Sequence, residues 1–304
     1  MVTEIFLDEQ YTDAEMYNRL NTEVDVDEIH TIIREDTDCY NIHGELLFRF
    51  RKKKLPIGEI DDYYKAIYSF TNSNVSSNRG TANGDNVKSI HTNKKVKSSI
   101  MGYYDKFSPK LKYFFTKMKV KPLIGLLECR FTREYPEKML KAIPLLTSIH
   151  NLYEELVPDK FTLQNQKASE TEFTIGNTCF TTATTNINFQ TRVHLDKGDC
   201  PEGFGNLAVI ERGNYSGGET CLPQYGVGVD VRQGDILFVD VHKHHGNLPV
   251  YDTSEGYKRM SVVAYLRNDV WKHSKGQKLN IVLSKLANFE EKRKLFYQNG
   301  KVAT

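Results

Sequence analysis

The period of the apolar residues changes at Phe173, and that change limits the fold more than any other feature. Upstream, Met139, Ala142, Ile143, Leu146, Ile149, Tyr153 and Leu156 recur at spacings of three and four. That spacing predicts a helix with one buried stripe. Downstream come short runs rich in Thr, Val, Ile and Phe: Thr181 to Val193, Leu207 to Glu211, Thr220 to Pro223, Val227 to Val231, Ile236 to Val241 and Met260 to Arg267. Glycine-rich and polar breaks separate them, at Gly213 to Gly218 and at Gln233-Gly234-Asp235. Strands this short bury their faces only by stacking into a sandwich or a jelly roll. The expected fold class is mainly β with flanking helices (α+β).

The earlier part of the chain is read less sharply. Residues 1–38 hold twelve acidic residues against Arg19 and Arg34, so the rest of a chain with net charge +2 is basic. Their short apolar patches predict one or two short helices, or a loosely held segment. Gly44 to Phe50 reads as a strand, Asp61 to Phe70 as a short helix, and Asn72 to Asn93 as a Ser/Asn/Gly-rich loop. Lys106 to Lys121 carries six lysines among aromatics, as a helix or hairpin. Cys129 to Thr132 reads as a strand end, and Leu279 to Phe296 returns to helical spacing. The expected organisation is an N-terminal extension over 1–97, a catalytic unit over 98–275 and a packed C-terminal helix over 276–304.

Composition excludes some classes. The five cysteines are scattered without a C-x-x-C pair, which argues against a zinc finger or disulfide framework and for a reducing compartment. No apolar run reaches the roughly 18 residues of a membrane span, and Met1-Val2-Thr3-Glu4 does not open a signal peptide. The expectation is an intracellular soluble protein, nuclear or in viral or host cytoplasm, not secreted, with no evident protein partner.

Within the β-rich stretch, His194-Leu195-Asp196 places an imidazole and a carboxylate two positions apart. On extended backbone they project the same way and can share one metal ion. A second imidazole is required some fifty residues on, and His242, His244 and His245 all qualify by distance. Beyond them, Arg259 and Ser261 share a strand face and can hold a carboxylate, with Arg267 as the rival arginine, expected at the strand's other end and outside the pocket. Two histidines, one carboxylate and a following arginine suit non-haem Fe(II) with sites left for a 2-oxo acid and O2, whereas structural zinc favours a closed four-ligand set. By period two, Asn186, Asn188 and Gln190 fall on the same face as His194, with amides suited to a cosubstrate or a base edge.

These residues are embedded in a longer pattern. Met101-Gly102-Tyr103-Tyr104-Asp105, Cys129-Arg130-Phe131-Thr132-Arg133, Glu155-Leu156-Val157-Pro158, His194-Leu195-Asp196-Lys197-Gly198-Asp199, His245-Gly246-Asn247 and Arg259-Met260-Ser261 resemble the TET/JBP family of Fe(II)/2-oxoglutarate dioxygenases. The likeness is to JBP-like and viral or phage-type members, over roughly Ser98 to Arg267. It implies a double-stranded β-helix (jelly-roll) core and hydroxylation of the 5-methyl group of thymine or 5-methylcytosine in DNA. It also implies Fe(II) on His194, Asp196 and His245, 2-oxoglutarate on Arg259 with Ser261, and O2 as the oxidant; strand parity adds Asn186 and Asn188 to the cosubstrate's candidate contacts. The DNA base is then flipped out or single-stranded, with lysines near 51–54, 94–97 and 106–121 as phosphate contacts. The cysteine-rich part of the animal proteins has no counterpart here. Alternatives of other classes are a protein or peptide hydroxylase of the same fold and a non-catalytic cupin-like binding protein.

Overall fold

The computed structural model describes residues 2–76, 96–105, 109–119 and 125–300. Two sheets organise them. The large, ten-stranded sheet runs edge to edge through Thr3–Leu7, Thr37–Asn41, Leu46–Arg51, Ile236–Val239, Gly205–Arg212, Lys258–Tyr265, Thr182–Ile187, Val96–Tyr104 and Val75–Ser76, with Leu127–Glu128 paired to one side. The small sheet runs through Gly246–Asn247, Thr220–Leu222, Val227–Val229 and Thr31–Ile33.

Alternation assigns the two faces of the large sheet to different tasks. On the Lys258–Tyr265 strand, Met260, Val262 and Ala264 pack outward against the helices Ile57–Ser73 and Pro136–Leu156, among Ile60, Tyr63, Ile67, Leu146, Ile149 and Tyr153. Full burial of side chains of this size contributes about 1.5–3 kcal/mol each. The opposite face looks toward the small sheet. Where it carries Leu207, Val209, Leu237 and Val239, the space closes as a second core with Leu222, Val227 and Val229. Where it carries Asn186, Ser261 and Arg259, the space stays open as a cavity.

Several elements differ from the sequence reading. Residues 1–38 hold one of the expected short helices but are otherwise tied into the sheets by strands that the sequence reading did not foresee. Thr3–Leu7 lies parallel to Thr37–Asn41 at the large sheet's edge, and Thr31–Ile33 extends the small sheet, around one short helix at Asp13–Asn18. Strands from the first 97 residues therefore share sheets with those of the downstream unit. The helix expected from Asp61 spans Ile57–Ser73 and starts directly after Pro56. Cys129 caps a short helix, Arg130–Glu134, instead of ending a strand. Pro144 sits inside Pro136–Leu156 without ending it; its missing N–H orphans the carbonyl of Leu140, a residue 68% exposed to solvent. The loop expected over 72–93 lies outside the described residues beyond Ser76, as do residues 94–95, 106–108 and 120–121 of the lysine-rich segments; the described remainder includes the helix Pro109–Met118. All five cysteines are buried and free, and no helix among the described residues is long and apolar enough to cross a membrane.

Candidate metal centre and its cavity

Two backbone segments that line the cavity face each other. His194 N–H donates to the His245 carbonyl at 2.9 Å and His245 N–H returns a bond to the His194 carbonyl at 3.1 Å. Directly opposed residues of an antiparallel pair project to the same side, and the two rings stand 4.2 Å apart between centroids. The pairing continues both ways, from Asn247 N–H to the Thr191 carbonyl and from Asp196 N–H to the Val241 carbonyl. Gly246 makes this approach possible, because a Cβ there would lie 2.7 Å from a Val24 methyl and 3.1 Å from the Arg192 backbone.

The side chains are poised for a cation. His194 Nδ1 and His245 Nδ1 each meet a carbonyl two residues upstream, at Arg192 (2.7 Å) and Lys243 (2.9 Å). A carbonyl only accepts, so each Nδ1 carries the proton and each Nε2 presents a lone pair. Both Nε2 atoms stand 3.7 Å from oxygens of Asp196, and ligating atoms of the three residues lie within 4.8 Å of one another. Burial alone would push the His245 imidazolium down; its contacts with Asp196 reverse the sign and hold it above the ordinary value. Of the histidine cluster only His245 enters this site. His242 turns its Nε2 to the Cys200 carbonyl at 3.0 Å, and His244 packs edge-on against Tyr17.

A cavity of about 500 Å³ extends from the triad across the large sheet. Arg259, Ser261, Val263, Tyr265 and Arg267, alternate positions from one strand onward, all line it. Arg259 is buried, and burial lowers its pKa. Its Nη2 has no hydrogen-bond partner among the described residues. The opposite residue, Glu211, is already engaged by Arg232 and by the N–H of Gln233. A buried guanidinium with an unsatisfied donor calls for an anion, and a 2-oxo dicarboxylate meets that requirement. Gly218, with φ +78°, leaves room for the guanidinium: a Cβ there would sit 2.9 Å from Arg259 Nε.

Asn186 lies on the same wall, accepting from Ser98 Oγ at 2.7 Å and donating to Ser261 Oγ at 3.3 Å. Asn188 does not join it. Its φ of +48° ends the strand at Ile187 and breaks the alternation that placed it, with Gln190, on the face of His194. Its exposed side chain instead accepts from Arg259 N–H at 2.7 Å and donates to the Tyr257 carbonyl, fixing the start of the arginine's strand. Arg267 differs from its expected place outside the pocket. It is buried on the cavity wall, ion-paired with Asp105 and stacked 4.5 Å over Tyr104. The strand parity it shares with Arg259 carried that signal. Within 51–54, Arg51 is buried against Asp38 and Lys52 meets Glu35, while Lys53 and Lys54 are exposed, at the end of their strand remote from the triad.

The model of the Tet_JBP family, described as the oxygenase domain of the 2OGFeDO superfamily, matches residues 113–268. The chain belongs to this family. The Tet_JBP match takes in all three candidate ligands together with Arg259 and Ser261, and the superfamily is one of Fe(II)/2-oxoglutarate dioxygenases. Among curated relatives, the bifunctional helicase and thymine dioxygenase JBP2 of Trypanosoma cruzi is 34% identical over 172 residues, covering 56% of this chain and 15% of the relative. JBP2 of Trypanosoma brucei brucei is 34% identical over 202 residues, 64% of this chain and 17% of the relative. The thymine dioxygenase JBP1 of the same organism is 31% identical over 175 residues, 56% of this chain and 19% of the relative. The chain thus spans less than a fifth of each of these proteins. The solved structure of NgTET1 in complex with 5mC DNA superposes with a TM-score of 0.55 at 11% identity, over 88% of this chain and 93% of that one. That likeness supports a Tet_JBP jelly-roll core, although here the sheets do not close into a barrel.

Proposed function

We propose that this chain catalyses Fe(II)- and 2-oxoglutarate-dependent hydroxylation of the 5-methyl group of thymine or 5-methylcytosine in DNA. One observation carries the reading: a two-histidine, one-carboxylate cluster opens into the cavity that holds a buried arginine lacking an anion. In this reading His194, Asp196 and His245 hold Fe(II), and Arg259 with Ser261 receives the far carboxylate of 2-oxoglutarate. When bound, iron, cosubstrate and O2 supply the oxidant for a methyl C–H bond, with succinate and CO2 as coproducts.

The chain's own residues position and shield. The backbone carbonyls of Arg192 and Lys243 fix the tautomer and rotation of the two imidazoles. Asn186, itself held by Ser98, orients the Ser261 hydroxyl beside the arginine. Ile100, Leu207, Val239, Val241 and Val263 give the cavity apolar walls that limit water. A methyl group stacked inside a duplex cannot enter such a site, so the base leaves the stack to react. The relatives named as thymine dioxygenases and the neighbour solved with 5mC DNA support the choice of a nucleobase. A DNA substrate and buried free thiols suit an intracellular compartment.

The test is succinate formation by the purified chain with Fe(II), 2-oxoglutarate and O2, with thymine-only DNA, with 5-methylcytosine DNA and without DNA. Mass spectrometry of the nucleosides should show one added oxygen. Turnover that ignores DNA would favour a protein or peptide hydroxylase, and no turnover a binding protein of the same fold.

A further inference from the structure

The residues lining the cavity include two from far outside the family match, Leu20 and Asn21. They lie on a short strap, Asp13 to Val24, laid across the back of the histidine pair. Its helix Asp13–Asn18 opens on a capping box between Thr12 and Glu15. Met16 and Val24 are buried in a cluster with Ile29, Val193, Cys221 and Leu248. Tyr17 lies edge-on to His244, and Lys197 sits 5.4 Å over the Tyr17 ring. The strap then pairs with the stretch that enters the metal centre: Asn21 N–H donates to the Val193 carbonyl and Val193 N–H to the Thr22 carbonyl, both at 2.9 Å. Arg192 reaches back to the Asn21 carbonyl at 3.0 Å and to Glu23.

Those bonds account for the backbone of Asn21 and leave its side chain unexplained. Its φ of +69° is a conformation that asparagine tolerates. Its backbone N–H and carbonyl are both taken, yet its amide makes no hydrogen bond among the described residues while lining the cavity.

We propose that Asn21 is a substrate-recognition residue whose amide hydrogen-bonds the polar edge of the target base as it enters the cavity. The proposal rests on the nucleobase reading above. A primary amide offers a donor and an acceptor side by side, as base edges do, whereas a phosphate only accepts. Leu20 supplies an apolar flank for the base ring beside the amide.

The experiment is steady-state kinetics on a DNA oligonucleotide carrying one target methyl group, for wild type, Asn21→Gly and Asn21→Asp. Glycine keeps the left-handed backbone and removes only the amide; aspartate keeps the shape and removes the donor. Both variants should lower kcat/KM for DNA by roughly three- to ten-fold, the size of one hydrogen bond. The KM for 2-oxoglutarate and the melting temperature should hold. If wild type shows no DNA-dependent succinate formation, the nucleobase reading falls and this proposal with it. If wild type is DNA-dependent and Asn21→Gly matches it, only the role of Asn21 is refuted. If Asn21→Gly loses cosubstrate affinity and thermal stability alongside DNA turnover, the residue is a brace and recognition is refuted.

Discussion

Replacing Arg259 by methionine should move stability in opposite directions depending on whether cosubstrate is present. The guanidinium is 4% exposed, burial pulls its pKa down, and Nη2 has no partner. An uncompensated buried charge destabilises the unliganded fold, and an apolar isostere is neutral or stabilising there. Methionine should therefore leave the melting temperature of the metal-loaded, cosubstrate-free protein unchanged or raised. With 2-oxoglutarate at about 100 times the wild-type Kd, binding adds about 2.7 kcal/mol to wild-type stability. Losing a charge-assisted, buried contact costs about 2 kcal/mol at the least, a roughly 30-fold weaker Kd. The same cosubstrate concentration then adds only about 0.9 kcal/mol. At about 2–4 °C per kcal/mol for a chain near this size, a wild-type shift of about 5–10 °C should shrink to about 2–4 °C. The assay is thermal unfolding under anaerobic conditions with Mn(II), with and without 2-oxoglutarate, so that turnover does not intervene. A full cosubstrate shift in Arg259→Met, or its loss in Arg267→Met instead, would refute the assignment.

Three further outcomes are expected. In Mn(II) titrations, His245→Ala should weaken metal binding beyond the roughly 10- to 100-fold that outer-shell changes cost. His242→Ala, which loses a bond only to the Cys200 carbonyl, should bind metal nearly as wild type. Gly218→Ala forces a side chain into a left-handed backbone, at about 1–2 kcal/mol, and against Arg259 Nε; it should lower the melting temperature by a few degrees and raise the KM for 2-oxoglutarate. Burial lowers the pKa of His150, whose Nδ1 accepts the Cys179 N–H at 3.0 Å. The folded state thus binds this proton less readily than the unfolded chain. The stability it secures above pH 6.5, the ordinary imidazole value, should decline as pH falls below it. His150→Gln should flatten that decline in melts run between neutral and mildly acidic pH.

The spacing of residues was enough to reveal what depends on local geometry. His194 and Asp196 two apart, Arg259 and Ser261 two apart, and the change of period at Phe173 are properties of extended or helical backbone, which sequence expresses directly. The same rule failed at Asn188, where one left-handed residue ends the strand and resets the alternation; an asparagine in a polar run does not announce that conformation. It was also carried too short a distance at Arg267, eight positions from Arg259 on the same face. Other choices have no physical reason without the tertiary structure. Three histidines within four residues are equivalent by spacing; the family pattern at His245-Gly246-Asn247 pointed to His245, and the cross-strand bonds to His194 supply the reason. Arg259 and Arg267 are both arginines on one wall; Asp105, more than 150 positions away in sequence, neutralises one and leaves the other for an anion. The acidic start of the chain read as short helices or a loosely held segment, not as strands, because its apolar patches are few and short. Met16 and Val24 gain a buried surface only when Val193 and Leu248 are brought beside them, and that long-range packing carries Asn21 to the cavity.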